Sequence, residues 1–145
     1  MTWVQHHSQS EQYASAADVA RMERDFARAR QLYRCAAEQE ELALSALEQR
    51  QTRILGIIAV SAVALWYKAG SYDRAQKLAL HWLGTNLLPP FAIDQLQELL
   101  TEITRIEKLL AAVEEWQASV SVSSADRELL VKAVREWQAS ASKAA

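Results

Sequence analysis

Apolar residues recur at helical spacing along most of the chain, and strand-like alternation is nowhere sustained. Residues 1–9 carry little periodicity and are expected to be a flexible N-terminus. A first helix is predicted from Ser10 to Glu23, with a thin face of Tyr13, Ala16, Ala17 and Ala20 that lets a partner helix approach closely. Arg24 and Asp25 mark a tight turn, and Asp25 is a suitable N-cap for a long second helix reaching about Arg50. Its apolar positions include Phe26, Ala29, Tyr33, Ala36, Ala43, Leu44 and Leu47. From Ile54 to Tyr67 the pattern changes: the segment is apolar almost all the way round, broken chiefly by Ser61. A helix of that kind is covered on more than one side. It is therefore predicted to be the core element, with each large side chain contributing roughly 1.5–3 kcal/mol when buried.

Gly70 stands where a left-handed helix end is wanted, and Ser71 or Asp73 opens the next helix, which ends near Gly84. Pro90 suits the first turn of a following helix. There Leu96, Leu99, Ile103, Ile106, Leu110 and Val113 recur at alternating spacings of three and four, the pattern of a heptad seam. This seam is expected either to cap the hairpins of its own chain or to join two copies, and a homodimer is the preferred reading. ASVSVSS, residues 118–124, reads as a Ser-rich linker, and residues 125–145 as a C-terminal helix and tail. The phrase VEEWQAS at 113–119 returns as VREWQAS at 134–140, which places Trp116 and Trp137 in similar amphipathic surroundings. Residues 10–117 thus form the expected helical domain.

The remaining features mostly exclude functions. A spanning helix needs about 20 apolar residues, and the run that begins at Ile54 stops at Lys68, so no membrane association is expected. A net charge of −2 with both signs interspersed gives no basic face for nucleic acid. Cys35 is alone, which forbids an internal disulfide and suits a reducing, cytoplasmic setting. No leader peptide is evident in MTWVQHHSQS. His6, His7, His81 and Cys35 have no metal-ligand spacing, so neither a metal nor another cofactor is expected. The pairs Glu40–Glu41 and Glu114–Glu115 read as solvated helix surface. No phosphate-binding glycine loop or nucleophile elbow occurs, and enzymatic activity is disfavoured.

The segment WYKAGSYDRAQKLALHWL resembles the tetratricopeptide repeat, through Trp66, Gly70, Tyr72, Ala75 and Ala79. DFARARQLYRCAA is a weaker copy, with Phe26, Ala29, Tyr33 and Ala36 at the second-helix positions. Ala29 and Ala75 are 46 residues apart, whereas the family's repeat is about 34. Trp82 and Val63 also depart from the small residues usual at their positions. The resemblance implies an all-α fold of antiparallel helical hairpins with a long C-terminal capping helix and one further helix. It also implies a non-catalytic adaptor that binds an unidentified protein in a groove lined by the first helix of each hairpin. Carried onto this chain, that groove includes Ile57, Val60, Ser61, Ala64, Tyr67 and Lys68, with Ala14, Asp18 and Arg21 from the first hairpin. The competing expectation is a small-molecule sensor or enzyme with a pocket between the hairpins, walled by His81 or Cys35.

Overall fold

The computed structural model describes residues 1–48, 50–120 and 123–144. The described residues form an all-α fold of six helices: α1 (Trp3–Met22), α2 (Phe26–Ala46), α3 (Thr52–Lys68), α4 (Tyr72–Gly84), α5 (Pro90–Ser119) and α6 (Ser124–Ala144). Contacts between side chains set their directions. His7 meets Glu40 and Asp18 meets Tyr33, so α1 and α2 run antiparallel. Trp66 meets Glu41 and Lys68 meets Tyr33, so α3 runs antiparallel to α2. A short turn at Gly70 then reverses the chain into α4.

Both hairpins turn by the same device. In α1 the Arg24 and Asp25 amides donate to the Arg21 and Ala20 carbonyls; in α3 the Gly70 and Ser71 amides donate to Tyr67 and Trp66. This double bond satisfies two of the carbonyls that a helix end leaves open, and it requires a left-handed residue just past the end. Gly70 supplies it at φ 75, as its position predicts. In the first hairpin Arg24 supplies it at φ 62, where a Cβ is disfavoured. Asp25 caps α2 as expected, its carboxylate accepting the Arg28 amide at 3.2 Å.

Alanines supply much of the interior of both hairpins: Ala17, Ala20, Ala29, Ala36, Ala59, Ala62, Ala75 and Ala79 are all essentially inaccessible. With side chains this short the helix axes come close, and the larger Leu55, Ile58, Val63 and Trp66 of α3 fill what remains. The predicted core helix is therefore the core helix. Gly56 lets α5 start against it, because a Cβ there would lie 2.7 Å from Pro89 Cγ and 3.0 Å from Ala92 Cβ.

Several boundaries differ from the sequence expectation. The first helix begins at Trp3, well inside the stretch expected to be flexible, because Thr2 and Gln5 form a reciprocal cap: the Gln5 amide donates to the Thr2 hydroxyl and the Thr2 amide to the Gln5 side chain. The second helix stops at Ala46, short of Arg50, with Leu47 buried beyond it. Of the Ser-rich linker, Ala118 and Ser119 belong to α5 and Ser124 opens α6, while residues 121–122 lie outside the described set. Residue 145 of the expected tail lies outside it as well.

The heptad seam of α5 is only partly free for a second copy. Leu96, Ile103 and Ile106 are at most 1 % exposed within the single chain, and Leu99 and Leu110 pack on the same core. Val113 is half-buried. The centre of the seam is therefore covered by its own chain, while Leu109 and Val113 on its flank keep some exposure. No helix among the described residues is long and apolar enough to cross a membrane.

Candidate functional site: the groove beneath the C-terminal helix

The expected groove residues separate into two groups on α3. Ile57, Ser61, Ala64 and Lys68 follow one another at three- and four-residue steps, with Val60 beside Ser61, and all five remain at least partly accessible. Tyr67 is set about 100° around the helix from Lys68 and is 3 % exposed. Its ring packs on Tyr72 at 5.7 Å between centroids, so it supports the groove floor and offers little to a ligand directly. On α1, Ala14, Asp18 and Arg21 lie on one stripe and are likewise half-buried.

Tyr33, from α2, joins these stripes. Its hydroxyl donates a short hydrogen bond to Asp18 Oδ1, and Lys68 Nζ lies 5.7 Å from its ring centroid. Arg21 Nη2 approaches the same Asp18 carboxylate at 3.8 Å. Burial, followed by the hydrogen bond to Asp18, pushes the Tyr33 phenol well above its ordinary pKa. Burial and then Tyr67 push Tyr72 up to about 12, opposed in part by Arg30. The groove floor is thus a set of neutral phenols edged by Arg21 and Lys68. Asp18, Arg21, Lys68 and Tyr67 are brought together around Tyr33; Ser61 and Ala64 lie farther along α3.

This ground is already covered by part of the chain. Arg21 Nη1 donates to the Ala139 carbonyl of α6 at 3.4 Å. Arg135, Gln138 and Ala139 close a space of about 30 Å³ over Tyr33, Tyr67 and Lys68. Sequence reasoning placed α6 after a linker and assigned it no seat. The available signal was its half-apolar face, with Leu130, Val131, Val134 and Ala141 at helical spacing.

Two buried polar joints were also missed. Glu40, read as solvated, is inaccessible, and its two carboxyl oxygens lie 3.0 and 3.1 Å from His7 Nδ1. His6 pairs with Gln39 at 2.8 Å, so both histidines are tied to α2. Glu41, also read as solvated, accepts from Trp66 Nε1 at 2.6 Å and from Arg74 Nε and Nη2 at 3.2 and 2.8 Å. The Arg74 guanidinium also lies 4.6 Å from the Trp66 ring centroid. Glu41 therefore links α2, α3 and α4.

A histidine–carboxylate pair is half of a nucleophile-activating arrangement. His7 touches Glu40, Glu11 and the Trp3 ring, and among the described residues no hydroxyl or thiol hydrogen-bonds to it. Cys35 is a half-buried free thiol, and His81 is exposed with its ring edge-on to Trp82 at 5.4 Å. Neither lines the cavities beneath or beside α6. Among the described residues no cluster of three or more His, Cys, Asp or Glu is arranged to hold a metal ion. Comparison with family models, curated proteins and solved structures finds no match for the chain.

Proposed function

We propose that this protein is a non-catalytic adaptor of tetratricopeptide type, which takes an amphipathic helix of a partner protein into the α1–α3 groove. The observation that carries this reading is the seat of α6: a helix of this chain already lies on Arg21, Tyr33, Tyr67 and Lys68. It supplies the Ala139 carbonyl to Arg21 and, in Ala139, a small residue that lines the space beneath it. A partner helix with a small residue flanked by polar groups has the same features. Helix-in-groove recognition of this kind uses one apolar face read at helical spacing. The resident helix sets a threshold, because a ligand sees only the fraction of molecules whose groove is open. The adaptor reading carries with it a cytoplasmic location, consistent with the single thiol.

A labelled peptide of residues 123–144 tests the groove in trans. It should bind the intact chain saturably, and more tightly when Ala139→Glu weakens the resident helix. Lys68→Glu in the receiving chain should weaken it. Failure of the Ala139→Glu chain to bind the peptide, or equal binding by the Lys68→Glu chain, rejects the groove.

A further inference from the structure

A second recess lies beside the groove, between α6 and the turn of the first hairpin. It has a volume of about 660 Å³, within the size range of small-molecule sites. Five cations line it: Arg24 and Arg30 from the hairpin, and Arg127, Lys132 and Arg135 from α6. Two acids stand against them, Asp25 and Glu128. Asp25 already caps α2 through the Arg28 amide. None of the five cations has an ion-pair partner among the described residues, although five other Arg and Lys side chains among them are paired with acids.

This local excess sits on a chain whose net charge is −2, so it does not follow from composition. It is also energetically unfavourable as it stands. Burial, and then the like charge of Arg135, hold the Arg30 pKa below its ordinary value. Arg24 occupies the left-handed region at the turn, where the second hairpin has glycine. Two unfavourable features, repulsion between guanidiniums and a strained backbone at an arginine, meet at one cavity. The repulsion is relieved when an anion lies between the guanidiniums, whose planar forks match phosphate oxygens two at a time.

We propose that this recess binds a small phosphorylated molecule carrying at least two phosphate charges, held between Arg24 and Arg30 on one side and Arg127, Lys132 and Arg135 on the other. Phe26 and Val131 provide apolar wall beside the cations, suited to the organic part of such a molecule. The concentration of charge in one recess favours a compact polyanion over a single carboxylate. It also favours a small ligand over a nucleic-acid backbone, which is read along an extended cationic stripe. The site goes beyond the groove reading and stands if that reading fails, since Lys68 and Tyr67 do not line it.

The probe is inorganic pyrophosphate, titrated calorimetrically into the full chain and followed in parallel by thermal unfolding. Binding should raise the melting midpoint by mass action, above the effect of chloride at equal ionic strength. Arg30→Gln and Arg135→Gln should each weaken binding about tenfold or more, as expected for loss of a charge-assisted fork. Arg135→Lys should fall between them and the parent. Arg34→Gln, on the same α2 but paired with Glu38, should leave binding unchanged. Without anion, Arg30→Gln should melt no lower than the parent, because the repulsion is gone. A nucleoside triphosphate and vesicles containing phosphatidic acid then separate a free phosphate ligand from a lipid headgroup. The proposal is overturned by a pyrophosphate effect no larger than that of chloride, by equal weakening with Arg34→Gln, or by a nucleic-acid oligomer that binds more tightly than either small phosphate.

Discussion

The two hairpins share one turn geometry and solve their interiors by opposite means. In the first, α1 and α2 meet through alanines and through polar pairs, His7–Glu40 and Tyr33–Asp18, together with the buried Ser10. In the second, α3 presents Leu55, Ile58, Val63 and Trp66, with polar contact concentrated at the Glu41–Trp66–Arg74 link. An apolar joint tolerates small shifts in angle because dispersion contacts are not directional. A hydrogen-bonded joint in a low-dielectric interior does not, since an unpartnered polar group there is costly. The first hairpin is consequently fixed in register by a few atoms, and the second by volume.

The largest expected effect comes from introducing charge into the apolar joint. Ile58→Asp places a carboxylate at a side chain 1 % exposed, with no partner, and should abolish the cooperative unfolding transition seen by circular dichroism. A persisting sharp transition would show that α3 is not covered on all sides.

Breaking the polar joint should have a smaller effect. His7→Ala leaves the inaccessible Glu40 carboxyl without its partner and should lower stability by about 3 kcal/mol in chemical denaturation. The double variant His7→Leu, Glu40→Leu should recover most of that loss, because the pair is replaced by packed apolar atoms. Additive losses in the double variant would mean that the joint contributes by shape and not by pairing.

The turns should respond with opposite signs. Arg24→Gly relieves a left-handed arginine and should stabilise the chain by about 1 kcal/mol, whereas Gly70→Ala should destabilise it by a similar amount. A Cβ at Gly70 meets only Arg30 Cδ, at the ordinary contact distance of 3.5 Å, so the loss there is conformational and not steric. Equal signs for the two variants would break the equivalence of the turns.

The smallest effect is expected in alkali. The Tyr72 phenol is held up to about 12, chiefly by burial, while an exposed tyrosine titrates at about 10. A raised value in the folded state means that this stabilisation is complete below about pH 10 and is lost as the pH climbs towards 12. The unfolding free energy should therefore fall over that interval, and Tyr72→Phe should reduce the slope. An unaltered slope would show that Tyr72 is not the responsible group.

How much of this was legible in the chain follows the same division. The apolar hairpin announces itself: Ile54 to Tyr67 cannot be solvated, Gly70 must be left-handed and Pro90 must start a helix, and each is so. The polar hairpin gives no such signal, because Glu40 and His7 are the residue types of a solvated face, and only pairing across 33 positions makes their burial possible. The cap formed by Thr2 and Gln5 was similarly hidden, since it lies ahead of any apolar repeat. For the groove, helical spacing was enough to put Asp18, Arg21 and Lys68 on neighbouring stripes, and the three meet around Tyr33. The burial of Tyr67 was not legible, since it stands one position from the accessible Lys68 and about 100° around the helix. The cationic recess was invisible to composition, because its residues come from segments about a hundred positions apart and are diluted by acids elsewhere.

The Glu41 link has an optical consequence. Of the five tryptophans, Trp66 alone is enclosed, at 2 % exposure; Trp3 and Trp82 are half-buried, while Trp116 and Trp137 are 49 % and 43 % exposed. Dissolved quenchers such as iodide should extinguish the outer indoles first and leave a residual emission from Trp66. Because that indole is hydrogen-bonded to a carboxylate on α2 and lies beneath a guanidinium on α4, its colour and lifetime register the spacing of three helices at once. The junction between the hairpins therefore contains its own fluorescent gauge, readable in the unlabelled protein.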